Sequence, residues 1–72
     1  MTYNPHHFGD MAAALASRFH AVRTIQQHLA IVDEADVQRQ IKVIRRERPE
    51  LWRELLKPAV DASWKRARTP TV

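Results

Sequence analysis

Two sets of apolar residues repeat at helical spacing along this chain, and they are out of step with each other by one residue. The first set recurs every three or four residues from Met11 to Val32, and the second begins at Val37. Such a repeat places apolar side chains on one face of an α-helix. Continuing the first repeat beyond Val32 would put Asp36 and Arg39 in the core. The mismatch therefore predicts two helical arms joined by a turn.

The turn between the arms is expected at about residue 33. Asp33 is a good N-cap, and Asp36 lies three residues further on, as in a capping box. The first helix is predicted over about 5–32, because Asn4 and Pro5 stand in the order typical of an N-cap followed by the first helical residue.

Two prolines interrupt the second arm. Pro49 and Pro58 each remove a backbone hydrogen bond from a helix. The apolar repeat nevertheless continues in register past both of them. Helix 2 is therefore predicted over about 34–48, continuing kinked to about 66, with 69–72 as a tail.

The size of the chain favours one small domain that associates with a second copy. It has 72 residues and no cysteine, so a single domain, 1–72, forms without disulfides. A core of this size supplies only about 3–5 kcal/mol of net stability. We expect an all-α fold: an antiparallel helical hairpin with a proline-kinked second arm, dimerising into a four-helix-type bundle. The residues expected in the core and dimer interface are Leu15, Phe19, Val22, Ile25, Leu29, Val37, Ile41, Ile44, Leu51 and Leu55.

The sequence contains no pattern typical of a catalytic, metal or cofactor site. Two helices do not enclose a pocket that excludes water, and one glycine does not supply a phosphate-binding loop. His6 and His7 are adjacent and would point about 100° apart on a helix, while His20 and His28 fall on the hydrophilic side of the apolar repeat. We expect no enzyme activity, no catalytic residue, no metal and no cofactor.

A cytoplasmic location is expected. No apolar run approaches the roughly 18 residues of a membrane span. The first ten residues have no Lys or Arg ahead of an apolar segment, as a signal peptide would have.

Positive charge is concentrated in the second half of the chain. Residues 1–37 contain two basic and four acidic residues, whereas residues 38–72 contain ten basic and four acidic ones. The residues that would line one stripe beside the core are Arg39, Lys42, Arg46 and Arg53, with Arg45 adjacent. Such a stripe can bind phosphates, so a small basic helical hairpin that binds RNA or DNA is an alternative function. The interleaved acids are also typical of an ordinary solvated helix face.

Two arginines occupy positions in the apolar repeats. Arg18 lies in the first repeat and Arg48 in the second. An unpaired charge in a core is costly, so each arginine must reach an acidic residue or the rim.

An apolar row flanks the core of the second arm. Trp52, Leu56, Val60 and Trp64 follow one another at four-residue steps, which is more apolar surface than a two-helix hairpin hides. Either the row is the homodimer core, or at least one tryptophan stays exposed beside arginine, a pairing enriched at binding hot spots. The residues predicted to bind a partner are Trp52, Arg53, Leu56 and Trp64, with Arg45, Arg46 and Arg48 steering the encounter.

The two arms together resemble the small early-expressed proteins of temperate Pseudomonas phages, which include the phage anti-quorum-sensing protein, a short helical dimer. The segments that carry the resemblance are MAAALASRFHAVRTIQQHLAIV and DEADVQRQIKVIRRERPELWRELL. The likeness covers the size, the two-helix layout and the basic second arm. It implies a phage-encoded inhibitor, in the cytoplasm of the bacterial host, that binds a transcriptional activator of quorum sensing. It also implies a second binding partner, the ATPase that drives pilus assembly.

These features predict a non-enzymatic, protein-binding inhibitor of a host regulatory protein. Nucleic-acid binding is the first alternative, and its affinity would fall steeply with salt. A second alternative is a structural subunit that becomes ordered only with its cognate chain.

Overall fold

The computed structural model describes residues 7–68, which form four helices and contain no strand. Helix α1 is His7–His20, α2 is Ile25–Asp33, α3 is Ala35–Glu47, and α4 covers residues 49–68. The predicted all-α class is confirmed. None of the helices in this part of the chain is both long enough and apolar enough to cross a membrane.

Some sequence predictions lie outside the described residues. They concern the helix start at about residue 5, with its Asn4 cap, the adjacent His6, and the tail at 69–72. Within residues 7–68, α1 and α2 each pack against both α3 and α4. The chain therefore builds one core from four helices of its own.

The first predicted arm is two helices, because the chain leaves helical geometry after His20. Thr24 has an extended backbone, with φ −129° and ψ 158°, and is the N-cap of α2. Its hydroxyl accepts a 3.1 Å hydrogen bond from the Gln27 N–H, and the Gln27 side chain accepts one from the Thr24 N–H at 3.2 Å. This capping box starts a new helix, α2. At the end of α1, the Arg66 guanidinium donates a hydrogen bond to the His20 carbonyl. The prediction of one helix over about 5–32 is wrong.

The break changes which side of α2 is buried. Ile25 and Leu29, predicted in the core or the dimer interface, are 44% and 50% exposed and so lie outside the core of the single chain. His28, predicted on the hydrophilic side, is buried. The prediction for His28 is wrong because it extends the periodicity of α1 across the break, whereas α2 has its own start and packs on α3 and α4.

The turn between α2 and α3 is centred on Glu34, one residue beyond the predicted position. Glu34 has an extended backbone and separates the two helices, while Asp33 is still the last residue of α2. The predicted Asp33 capping box is therefore wrong, and the Gln38 side chain donates to the Val32 carbonyl at 3.0 Å instead. The Glu34 carboxylate pairs with Arg18 of α1 at 2.7 Å. Arg18 thus reaches an acidic residue, as expected.

Pro49 ends α3 and starts α4. Helix α3 stops at Glu47, and Arg48 has the non-helical angles φ −136° and ψ 70°. Pro49 is the first residue of the segment Pro49–Leu51, a position where a missing N–H costs no helical hydrogen bond. The interruption predicted at this proline is confirmed.

Pro58 lies inside α4, which continues through it by way of a wider turn. Trp52–Leu56 form a π-helical turn, in which the Lys57 N–H bonds to the Trp52 carbonyl five residues back. The segment Lys57–Arg68 is α-helical again. A proline ring crowds the carbonyl four residues before it and donates no hydrogen bond, so a π turn just ahead of it relieves both problems.

The core lies where α1 packs on α3 and α4. Its completely buried large side chains are Leu15, Phe19, Val22, Val37, Ile44, Leu56 and Ser63. The core predictions for Leu15, Phe19, Val22, Val37 and Ile44 are confirmed. The predicted core residues Ile41, Leu51 and Leu55 are half-buried and pack against the edge of this cluster.

Leu56 is the clearest departure from the predicted second arm. The sequence predicts this residue on the partner-binding surface, yet it is 0% exposed. The π turn adds about one residue to the helical register, which corresponds to a rotation of about 100°. The side chain that enters the core is therefore Leu56, and Leu55 stays at its edge. The assignment of Leu56 to a binding surface is wrong.

We expect Leu56→Ala to lower the free energy of unfolding by about 2–5 kcal/mol, the cost of deleting a fully buried leucine side chain. Leu55→Ala removes the same atoms from a half-buried position and should cost clearly less. Urea unfolding followed by circular dichroism measures both values. Equal losses, or a larger loss for Leu55→Ala, would contradict the register imposed by the π turn.

Candidate binding surfaces

The structure divides the seven predicted partner-binding residues into separate groups. Arg45, Arg46 and Trp52 lie together where α3 meets the start of α4. Trp64 is twelve residues further along α4, about 18 Å away at the rise of an α-helix. Leu56 belongs to the core. The row of four apolar residues predicted from the sequence is therefore not one continuous surface.

Arg45 of α3 stacks on Trp52 of α4. The guanidinium carbon lies 5.0 Å from the centre of the indole ring, which is half-buried. Such a cation–π contact contributes about 0.5–1 kcal/mol at an exposed site. The contact holds the long Arg45 side chain against a flat surface while leaving its N–H groups free for a ligand.

A surface depression extends from this stack along α3. It is lined by Gln38, Ile41, Lys42, Arg45 and Arg46. Ile41 is half-buried and supplies an apolar floor, while the cationic side chains are exposed at its rim. We call these five residues together with Trp52 the α3 surface.

Ion pairing leaves much of the positive charge of the α3 surface available. Within residues 7–68, Lys42 and Arg45 form no ion pair with a carboxylate. Arg46 contacts Glu47 at 3.5 Å, and both side chains are largely exposed. Because an ion pair in water is weak, Arg46 can exchange Glu47 for the carboxylate of a ligand.

Arg48 and Arg53 lie at the start of α4 and take different roles. Arg48 Nε donates to Glu50 Oε1 at 2.5 Å, and this hydrogen bond is the main cause that lowers the pKa of Glu50 below its ordinary value. Arg48 therefore reaches an acidic residue, as the sequence required. Arg53 is exposed, and its charge lowers the pKa of Glu50 further. Neither residue lines the depression on α3.

A buried histidine joins α2 to α4. His28 Nδ1 lies 2.9 Å from Ser63 Oγ, and the Ser63 hydroxyl donates to the Val60 carbonyl at 2.8 Å. A hydroxyl has one hydrogen, so His28 carries its proton on Nδ1 and donates to Ser63. The imidazole also contacts Trp64 at 4.7 Å and Phe19 at 6.2 Å between ring centres. Because Ser63 is fully buried and its proton points to a backbone carbonyl, this pair is a structural link.

Trp64 covers His28 from the outside. The residue is 36% exposed, and the Arg68 guanidinium carbon lies 5.6 Å from the centre of the indole ring. This second arginine–tryptophan pair has the same chemistry as the stack of Arg45 on Trp52. It differs in its setting, because Trp64 lies against the buried His28–Ser63 pair that joins α2 to α4, whereas the Arg45–Trp52 pair borders the cationic depression on α3.

The His28–Ser63 pair was missed by the sequence reasoning. The two residues are 35 positions apart, and neither belongs to a local motif. The Thr24–Gln27 capping box was the available signal, because a new helix start at Thr24 changes which side of α2 faces the core.

No protein-family model, curated protein or solved structure matches this chain. Among residues 7–68 there is also no group of three His, Asp or Glu side chains that could hold a metal ion.

Protonation of His28 should destabilise the fold. Burial lowers the pKa of His28 below its ordinary value of 6.5. The unfolded chain therefore binds more protons than the folded chain as the pH falls through about 6.5. The stability contributed by the neutral ring is fully present above that pH and is lost as the pH falls toward the folded-state pKa.

We expect the urea midpoint of the wild type to fall more steeply than that of His28→Gln between about pH 7.5 and 5.5. Glutamine retains an N–H donor for Ser63 but does not titrate, so it is the matched control. The midpoint is measured by circular dichroism at each pH. Parallel pH profiles for the two proteins would contradict the buried, neutral state of His28.

Proposed function

We propose that this protein is a non-enzymatic inhibitor that binds an acidic surface of a regulatory protein through its α3 surface. The observation that carries the proposal is the stack of Arg45 on Trp52 beside the apolar floor at Ile41. Binding there blocks the activity of the regulatory protein by covering part of its surface.

The chemistry of the α3 surface fits an acidic segment that also carries apolar side chains. Arginine presents several N–H donors in the planar arrangement that a carboxylate accepts. Tryptophan and arginine are the residues most enriched at binding hot spots. An apolar side chain of the partner would contact Ile41 and Trp52, while neighbouring carboxylates reach Lys42 and Arg45.

The acidic residues near this surface favour a protein over a nucleic acid. Asp36 lies 3.9 Å from Arg39, and Glu47 lies 3.5 Å from Arg46. These carboxylates would lie near the phosphates of a bound nucleic acid and repel them. A folded protein presents only a few charges at fixed positions, so its carboxylates can lie away from Asp36 and Glu47. Nucleic-acid binding remains the alternative function.

The class of the partner comes from the sequence resemblance. It implies a phage-encoded anti-activator that binds a bacterial transcriptional activator of quorum sensing, in the cytoplasm of the host. We include this regulation of transcription in the proposal. We also propose that the two predicted arms, α1–α2 and α3–α4, run antiparallel and that the protein acts as a homodimer.

The proposal is tested with two charge reversals of the same kind. Arg45→Glu and Arg68→Glu each reverse one charge and each remove an arginine from a tryptophan ring. Tagged wild type and both variants are used to capture proteins from nuclease-treated bacterial lysate, with quantification by mass spectrometry. We expect one dominant partner, whose recovery falls about ten-fold or more with Arg45→Glu and stays near wild type with Arg68→Glu.

Two other outcomes of this experiment would contradict the proposal. Equal recovery of the partner by the wild type and Arg45→Glu would exclude the α3 surface as the binding site. Recovery that depends on omitting the nuclease, together with affinity that falls steeply with salt, would replace the proposal with nucleic-acid binding.

A further inference from the structure

The exposed large apolar side chains of residues 7–68 are concentrated around α2. They are Ile25, Leu29 and Trp64. Ile25 and Leu29 are one helical turn apart on the same side of α2. Trp64 contacts His28, the residue that precedes Leu29. A grouped apolar face of this kind is more informative than single exposed residues scattered over a surface.

The part of this face that α2 supplies has no acidic or strongly basic residue between its two ends, although Arg68 lies beside it over the Trp64 ring. The segment 24–32 contains no Asp, Glu, Lys or Arg, although 28% of the whole chain is charged and its net charge is +4. Two copies that met through the basic α3 surface would repel each other. Two copies that met through α2 would bring no like charges together.

The charges at the two ends of α2 are opposite and complementary. Arg23 precedes the helix and Asp33 ends it. Within the described residues neither side chain forms an ion pair. Residue 28 is midway between Arg23 and Asp33, and residue 27 is midway between Ile25 and Leu29. A two-fold axis at this level of α2 therefore places Ile25 of each copy near Leu29 of the other and Arg23 of each copy near Asp33 of the other, because the two helices run antiparallel.

We propose that α2 is the homodimer interface, with a second copy of this chain packed antiparallel on Ile25 and Leu29 and with Arg23 paired to Asp33 across the two-fold axis. The interface is isologous, so each copy offers the apolar side chains and both charges. The proposal rests on the homodimer included in the proposed function, and it specifies the surface. Between Arg23 and Asp33 the face of α2 carries no Asp, Glu, Lys or Arg, so a strongly acidic or basic partner finds no row of complementary charges there.

The oligomeric state is tested first, by sedimentation equilibrium of the full chain with no other protein present. We expect wild type to have twice the monomer mass of 8.4 kDa. Leu29→Arg places a charge inside the interface of each copy and should give a monomer. Ala30→Arg adds the same charge at the next residue, about 100° around the helix, and should remain a dimer. Thermal unfolding by circular dichroism checks that both variants are folded.

A charge exchange tests the antiparallel pairing independently of any core residue. Arg23→Asp should weaken dimerisation several-fold, because it puts two acidic residues together at each end of the interface. Combining Arg23→Asp with Asp33→Arg restores opposite charges and should return the dissociation constant to near that of wild type. Both positions are exposed, so the fold should tolerate these changes.

Several results would overturn the proposed interface. A wild-type protein that is monomeric at every concentration would do so, as would equal effects of Leu29→Arg and Ala30→Arg. Failure of the double exchange to restore dimerisation would overturn the antiparallel arrangement. The outcome is separable from that of the proposed function, because a monomeric Leu29→Arg should still capture the partner through the α3 surface.

Discussion

The hydrogen bond from His28 to Ser63 fixes the position of α2, and the arrangement of the first half of the chain depends on it. It connects the middle of α2 to the last segment of α4, under the Trp64 ring. Arg66 of the same segment holds the end of α1 at the His20 carbonyl. Both sides of the helix break are therefore attached to α4. Without this attachment, the apolar periodicity that continues past His20 would favour one long helix.

The π turn in α4 connects the fold to the candidate binding surface. It brings Leu56 fully into the core and leaves Trp52 half-buried at the edge, where Arg45 stacks on it. Pro58, which follows the turn, favours the π-helical geometry, because a regular α-helix would direct the Glu54 carbonyl at the proline ring. The orientation of the binding surface thus follows from a backbone feature placed next to it in the sequence.

The sequence predicted the features that depend on local chemistry and missed those that depend on distant contacts. Helical periodicity was enough for the all-α class, and Pro49 was enough for the end of α3. The helix break was missed because the apolar repeat outweighed the short Thr24–Gln27 capping signal. The candidate surface was recognised in part: Arg45, Arg46 and Trp52 do come together, but Leu56 does not join them, because a π turn shifts the register without changing the composition.

The most direct test of this account is nuclear magnetic resonance of His28 in the isotopically labelled wild-type protein at about pH 7.5. Long-range proton–nitrogen correlations identify the protonated ring nitrogen, and nuclear Overhauser effects report its neighbours. The account predicts a neutral ring protonated on Nδ1, with Overhauser effects to the Trp64 indole, whose ring centre lies 4.7 Å away. A solvent-exposed imidazole with no contact to the C-terminal helix would contradict the attachment of α2 to α4 and restore a continuous first arm.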